Sequence, residues 1–168
     1  PRVMDDLSRI RLYLDGDRMT ASALYSTLTR QVTAIGVRMP SVLGGELRMQ
    51  QGLTIESVGM GPETRLWPTE HRARDEQLDR EQTMLEYFTF PEKFHFIDLC
   101  GVDSASVPVG ETRFELEVEL DGAMPSQTTF DASNIRLFCT PIINLFEVDA
   151  QAIQPDGHSR EYRVVPAH

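Results

Sequence analysis

Basic residues, histidine and cysteine are all in short supply in this sequence, and each shortage removes a class of function. Asp and Glu outnumber Lys and Arg 26 to 16, a formal net charge of −10 over 168 residues. Nucleic-acid binding needs a Lys/Arg surface that displaces counterions from phosphates, so no nucleic acid is expected as a partner. An anionic membrane surface is disfavoured on the same ground. The four histidines (His71, His95, His158 and His168) are scattered, and no two stand at the i, i+4 spacing of a helical metal site. Cys100 and Cys139 lack a CxxC partner. Two cysteines in apolar, strand-like contexts make no disulfide framework and predict free thiols in a reducing compartment. Walker A, G-x-G-x-x-G and G-x-S-x-G patterns are missing, so no metal, cofactor or nucleophile is expected. No apolar run approaches the roughly 20 residues that cross a bilayer. Pro1 to Asp6 lack the regions of a signal peptide, which predicts a soluble cytoplasmic protein without membrane insertion. With Pro1 in place of an initiator Met, the chain reads as a processed or excised piece.

What is present describes an α+β chain, strand-rich, with a mostly antiparallel sheet and about two covering helices. Ile10, Leu12 and Leu14 alternate with Arg9, Arg11 and Tyr13, the period of a half-buried strand. Asp15-Gly16-Asp17 turns the chain, and Asp17 or Thr20 caps a helix that runs to about residue 33 with Leu24, Leu28 and Val32 on one stripe. The β-branched residues between Val32 and Met39 favour a strand after it. Gly and Pro punctuate residues 40–70, where 53–58 is the best strand. A largely polar helix follows, on which Leu78, Leu85 and Phe88 share a face, and Pro91 stops it. Strands are expected over Phe94–Val102, Phe114–Leu120 and Ile135–Cys139. Another is expected over Val148–Ile153, with a hairpin turn at Asp156-Gly157 before Arg160–Val165. The chain is read as one region, 1–168, with sub-lobes 1–70 and 71–168.

Carboxylates offer the best enzymatic alternative, a polysaccharide hydrolase. Glu115, Glu117 and Glu119 share one strand face, flanked by Glu111 and Asp121. Alternate strand residues are separated by roughly 6.5–7 Å, not far from the about 5 Å of a retaining glycosidase pair. Yet acids on the wet side of an amphipathic strand are what solubility alone produces, and the solvated reading is preferred.

Two stretches are more distinctive. Leu85-Glu-Tyr-Phe-Thr-Phe-Pro-Glu-Lys-Phe-His-Phe-Ile-Asp-Leu99 packs Tyr87, Phe88, Phe90, Phe94 and Phe96 around the bend fixed by Pro91. Such a corner reads first as a core hinge; its second reading is a docking anchor, with Phe90 and Phe94 as interface residues. Glu92 and Lys93 read as solvated or capping charges. The second stretch is Cys139-Thr140-Pro141-Ile-Ile-Asn144-Leu145-Phe146-Glu147, with Glu161-Tyr-Arg-Val-Val-Pro166 downstream. Pro141 ends a strand there and Asn144 suits a tight turn.

In order and spacing these stretches, with the Arg11–Asp17 strand and turn, resemble the signature elements of the TssF (VasA or ImpG) family of type VI secretion baseplate proteins. The resemblance runs along nearly all 168 residues and corresponds to the central part of a longer chain. His95 stands where the family pattern has a bulky apolar residue, which speaks against a ligand role for it. The resemblance implies a structural, non-enzymatic subunit of a phage-like contractile tail in Gram-negative bacteria. It implies TssF self-association, with TssG, TssK and TssE as partners, in a cytoplasmic baseplate docked at the inner-membrane complex.

Overall fold

A computed structural model describes residues 7–38, 47–49, 52–67, 76–102, 113–123, 129–144 and 148–167. Leu145, Phe146, Glu147 and Glu111 lie outside the described residues.

The first strand, β1 (Arg9–Leu14), runs antiparallel to β5 (Phe96–Cys100), with Arg9 opposite Cys100 and Tyr13 opposite Phe96. On the outer side of β5 lies β4 (Thr54–Ser57), and on the outer side of β1 the short β7 (Ile135–Arg136). The order is β4-β5-β1-β7, with every pairing antiparallel. A second sheet has the order β3-β2-β6, built from β3 (Leu47–Met49), β2 (Val32–Arg38) and β6 (Glu115–Leu120). Both sheets combine strands from residues 1–70 with strands from the rest of the chain.

Helix α1 (Arg18–Arg30) starts where Asp17 accepts hydrogen bonds from the amides of Met19 (2.8 Å) and Thr20 (3.0 Å), so Asp17 is the cap and Thr20 lies inside the helix. It ends at Arg30, three residues earlier than expected, because β-branched Val32 and Thr33 pair better in β2. Leu24 of α1 packs on Leu14 and Ile97 of the first sheet, with Leu12, Tyr25, Leu28 and Ile55 around them. A second cluster joins Ile35 of β2 to Leu99 and Val102, with Ile10 and Val118 at its rim. The two sheets therefore meet through β5, whose residues 96–99 are all buried. Opposite the α1 face, Tyr13 and Phe96 rings stand 4.8 Å apart, and Asp98 accepts hydrogen bonds from Arg11 Nε and Nη2, each at 2.8 Å.

Helix α2 (Glu76–Thr89) ends two residues before Pro91, which opens a short 3-10 turn, Pro91–His95. The apolar strand therefore begins at Phe96 rather than Phe94, because the turn claims the residues between. Further corrections come from the C-terminal third. The strand expected over Ile135–Cys139 stops at Arg136, since Phe138 turns to φ +59° and points wholly into solvent. In place of the expected hairpin, residues 150–166 make a single antiparallel bridge, Ala150 to Pro166. Asp156 explains the difference: it accepts from the amides of His158 and Ser159 and from the Tyr162 hydroxyl, closing a wide side-chain-built loop. From residue 113 onward no described residue is buried.

Candidate functional site

Between Arg80 and Thr89 of α2 the buried residue is the charged Glu86, with Gln82 half-buried beside it, whereas Met84, Leu85, Tyr87 and Phe88 are exposed, the reverse of an ordinary covering helix. Glu86 is 1 % exposed and Lys93 is 2 % exposed, and the Lys93 ammonium donates to the Glu86 carboxylate. The carboxylate also accepts from the Leu66 amide (3.2 Å) and Gln82 Nε2 (3.3 Å), while Gln82 Nε2 reaches the Trp67 carbonyl at 3.2 Å. Gln82 and Glu86, one turn apart, thus fasten α2 to the loop after residue 59 and to the Pro91 turn. Burial by itself would raise the Glu86 carboxyl, but the hydrogen bonds from Lys93 and Leu66, the Lys93 charge and Gln82 hold it below its ordinary value. The reading of Lys93 as a solvated charge is corrected: Pro91 folds it back under the helix, where Glu86 is its partner. Glu92 does remain exposed.

With that face occupied by charge, Leu85 and Phe88, expected to share a helical face, both project outward; Phe88 is 76 % exposed. The side chain of Leu78 lies outside what is described. Phe94 is buried, and Phe90 is half-buried. Tyr87 links the two environments, its ring 5.3 Å from Phe94 and 5.5 Å from Phe88 in edge-on geometry. Half-buried His95 is lowered in pKa by burial, only partly offset by Glu92. Its neighbours include no metal-holding cluster among the described residues.

The outward stripe Arg80, Thr83, Met84, Tyr87, Phe88 follows helical spacing and walls a groove of about 770 Å³, closed on the far side by Met60, Pro62 and Arg65. A smaller cleft of about 210 Å³, which shares Arg65 with the first, is lined by Lys93, Thr140 and Pro141 together with Arg11 and Phe96. The two distinctive stretches of the sequence are thus neighbours in space. Thr140 and Asn144 are exposed and Pro141 half-buried. Cys139 is a free thiol outside any strand, its Sγ near the Leu137 carbonyl; Cys100, also free, sits at the end of β5, where burial raises its pKa.

On β6, Glu117 pairs with Arg38 and Glu115 with Arg113, and Glu117 and Glu119 are exposed. These carboxylates form a solvated, partly ion-paired face. Sequence reasoning missed the roles of Glu86, Gln82, Met60 and Met84. The 80/84/88 spacing was readable as a stripe, but its direction depends on a buried ion pair seven residues long that no local pattern announces.

Three likenesses to known proteins follow this geometry. A sequence model described as type VI secretion system, TssF, matches residues 3–168. The type VI secretion system component TssF1 of Pseudomonas aeruginosa is 29 % identical over 161 residues, which is 95 % of this chain and 25 % of that protein. A chain in a cryo-electron microscopy structure of the type VI secretion TssK-TssF-TssG baseplate subcomplex matches with a TM-score of 0.73 and 35 % identity, covering 90 % of this chain and 28 % of that one. The chain spans about a quarter of the length of these relatives.

Proposed function

The chain belongs to the TssF family of type VI secretion systems, and from that premise we propose that it is part of a structural subunit of the secretion baseplate. The observation that carries this reading is likeness of both sequence and fold, along 90 % of the chain, to a chain of a TssK-TssF-TssG baseplate subcomplex. TssG and TssK are accordingly the first partners. Self-association of two TssF copies around one TssG, and recruitment of TssE, extend the same reading. So does a cytoplasmic site at which the baseplate docks on the inner-membrane complex. Among the described residues no helix is long and apolar enough to cross a membrane. The work of such a subunit is mechanical, holding an assembly through many interfaces until a signal rearranges it, and no covalent chemistry is asked of it.

The distinctive stretches fit a scaffold. Phe94, Lys93 and Pro91 build the corner, and Tyr87 and Phe88 are presented from it. A hydrolase would need a carboxylate pair in a cleft; the β6 glutamates instead lie on an open face, two of them ion-paired with arginines. The test is co-expression of the full-length protein carrying this region with TssG and TssK, followed by sizing of the tagged complex. A three-component species is expected. Elution of the protein alone, or glycan hydrolysis lost on Glu117→Gln, would overturn the reading.

A further inference from the structure

We propose that Phe138 is an internal knob, seated in an apolar socket supplied by the part of the same polypeptide that lies outside residues 1–168. The inference draws on the family's chain length and goes beyond the baseplate reading, on which it does not depend.

The base of the knob is fixed. Asp131 caps the short 3-10 turn Ala132–Asn134, and β7 then pairs with β1, Tyr13 opposite Arg136 and Leu14 opposite Ile135. The Asp15 amide donates to the Asn134 carbonyl at 2.8 Å, and Asn134 Nδ2 donates to the Asp15 carbonyl at 2.8 Å. Arg136 adds an ion pair with the Asp15 carboxylate. Two residues beyond this anchorage the backbone of Phe138 takes φ +59°, and its side chain is 100 % exposed. A bulky residue enters the left-handed region at a cost, and hydration of a whole phenyl ring adds a second. Strain carried on a fixed base persists where the surroundings give the aimed side chain a role. Leu137 and Ile142, its neighbours in sequence, are 50 % and 79 % exposed.

The composition of this stretch selects a permanent cover. From Leu137 to Phe146 there is no charged residue, in a chain of which 25 % is charged. Depletion of charge marks surfaces that stay buried, whereas surfaces of partners that come and go are more polar. No described residue from 113 onward is buried, so packing among the described residues does not provide the cover. Apolar surface of this kind, left open until another protein arrives, invites aggregation. The cover therefore has to be present once the chain is made.

Chain length can provide it. The residues in hand match 25 % of TssF1 and 28 % of the solved chain, so most of a relative's length lies outside the matched region. Joined through the backbone, such a segment acts at an effective concentration that a separate protein does not reach. A second copy docked symmetrically would set Phe138 against Phe138, two knobs with no socket between them.

The test puts a photoreactive ring at the knob, Phe138→p-benzoylphenylalanine, in the full-length protein. The variant is irradiated alone and after co-expression with TssG and TssK, and linked peptides are identified by mass spectrometry. A crosslink from position 138 to the same chain outside residues 1–168 is expected in both samples, with the denaturing-gel mobility of one chain. Hydroxyl-radical footprinting of the unaltered full-length protein, purified alone, checks the same point without a substitution. There Phe138 should be oxidised about tenfold more slowly than in urea, since reaction waits on local opening. Circular dichroism reports whether the variant folds; where it does not, the footprint alone decides. A crosslink to a second copy, to TssG or TssK, or to a residue within 1–168 would overturn the proposal. So would a folded variant that forms no crosslink, or a Phe138 oxidised as fast in the folded protein as in urea. If the crosslink within the chain fails while TssG and TssK still co-purify, only the knob assignment falls. If it forms while co-purification is absent, only the baseplate reading falls.

Discussion

Lys93 donates to Glu86 across the bend at Pro91, and both side chains are almost wholly removed from water. An ion pair so placed is weak evidence for net stability, because desolvation of two charges offsets most of their attraction. Its consequence is directional. Stripping one partner leaves the other charge almost wholly buried and unpaired, so the pair holds α2 in one orientation, with the Met84–Phe88 stripe facing out.

Lys93→Met should therefore destabilise the protein by about 3–5 kcal/mol, the cost of an uncompensated buried charge. Adding Glu86→Leu should restore most of that loss, leaving about 1–3 kcal/mol for the Leu66 amide that then lacks an acceptor. Urea unfolding of the two single variants and the double variant measures the cycle. A double variant as unstable as the sum of the singles would show that the pair is not the source of the cost.

Acid should dissolve the same fastening. The Glu86 carboxyl is held below its ordinary value of 4.5 in the folded protein. A lowered folded value means the contribution is full above the unfolded value and is lost as pH falls through the folded one. Below about pH 4.5, wild-type stability should fall more steeply than that of Glu86→Gln, by at most about 1.4 kcal/mol per pH unit for this one proton. Unfolding free energies at successive pH values, compared between the two proteins, isolate the group from the other carboxylates. Parallel curves would refute the assignment.

How far the aromatic corner was legible in sequence is decided residue by residue. Pro91 announced the bend, and alternation in Arg9–Leu14 announced β1, since both signals are local. Phe94 and Phe88 stand at opposite ends of the burial scale although both flank the same proline, because burial depends on what lies across the fold from each. Phe94 lies against Gly59, where an added Cβ would come within 3.1 Å of its ring, whereas Phe88 projects from the exposed side of α2. Phe138 misled for a different reason: Ile-Arg-Leu-Phe-Cys has the composition of a strand, but a positive φ cannot be read from composition.

Phe94→Ala should cost about 3–5 kcal/mol and Phe90→Ala less, as befits buried and half-buried rings. Phe88→Ala should stay within about 0.5 kcal/mol. Thermal melts rank the three. A Phe88 variant melting as low as the Phe94 variant would mean that the stripe packs inside the protein.

Arg11 and Asp98 should show unequal costs despite sharing one salt bridge. Asp98 is buried, whereas the Arg11 side chain is 43 % exposed and can rehydrate when its partner is removed. Arg11→Met leaves a buried carboxylate facing Arg9 at the longer distance of 3.6 Å. That change should cost about 2–3 kcal/mol, against about 1 kcal/mol for Asp98→Asn, which leaves no buried charge behind. Equal losses in urea would place Asp98 in contact with water.

Gly101 and Gly52 face each other at the end of β5, both at positive φ (+93° and +89°), yet replacing them by alanine should have different consequences. At Gly52 an added Cβ meets nothing within 4 Å, so Gly52→Ala bears only the left-handed backbone cost of about 1–2 kcal/mol. At Gly101 the new carbon would sit 2.5 Å from the Gly52 carbonyl oxygen, which is backbone and cannot swing aside as a side chain would. The strand end must then shift, and with it two contacts: the Gly101 amide bond to the Ser8 carbonyl at 2.9 Å, and the packing of Val102 on Ile35 and Leu99. Gly101→Ala should therefore cost at least about 2 kcal/mol more than Gly52→Ala, the sum of a lost hydrogen bond and an imperfectly filled core position. Equilibrium unfolding of the two variants side by side makes the comparison. Similar losses at the two sites would show that the 52–53 segment does not press on the end of β5 as placed here, whereas a large gap would fix that close approach as the reason for glycine at position 101.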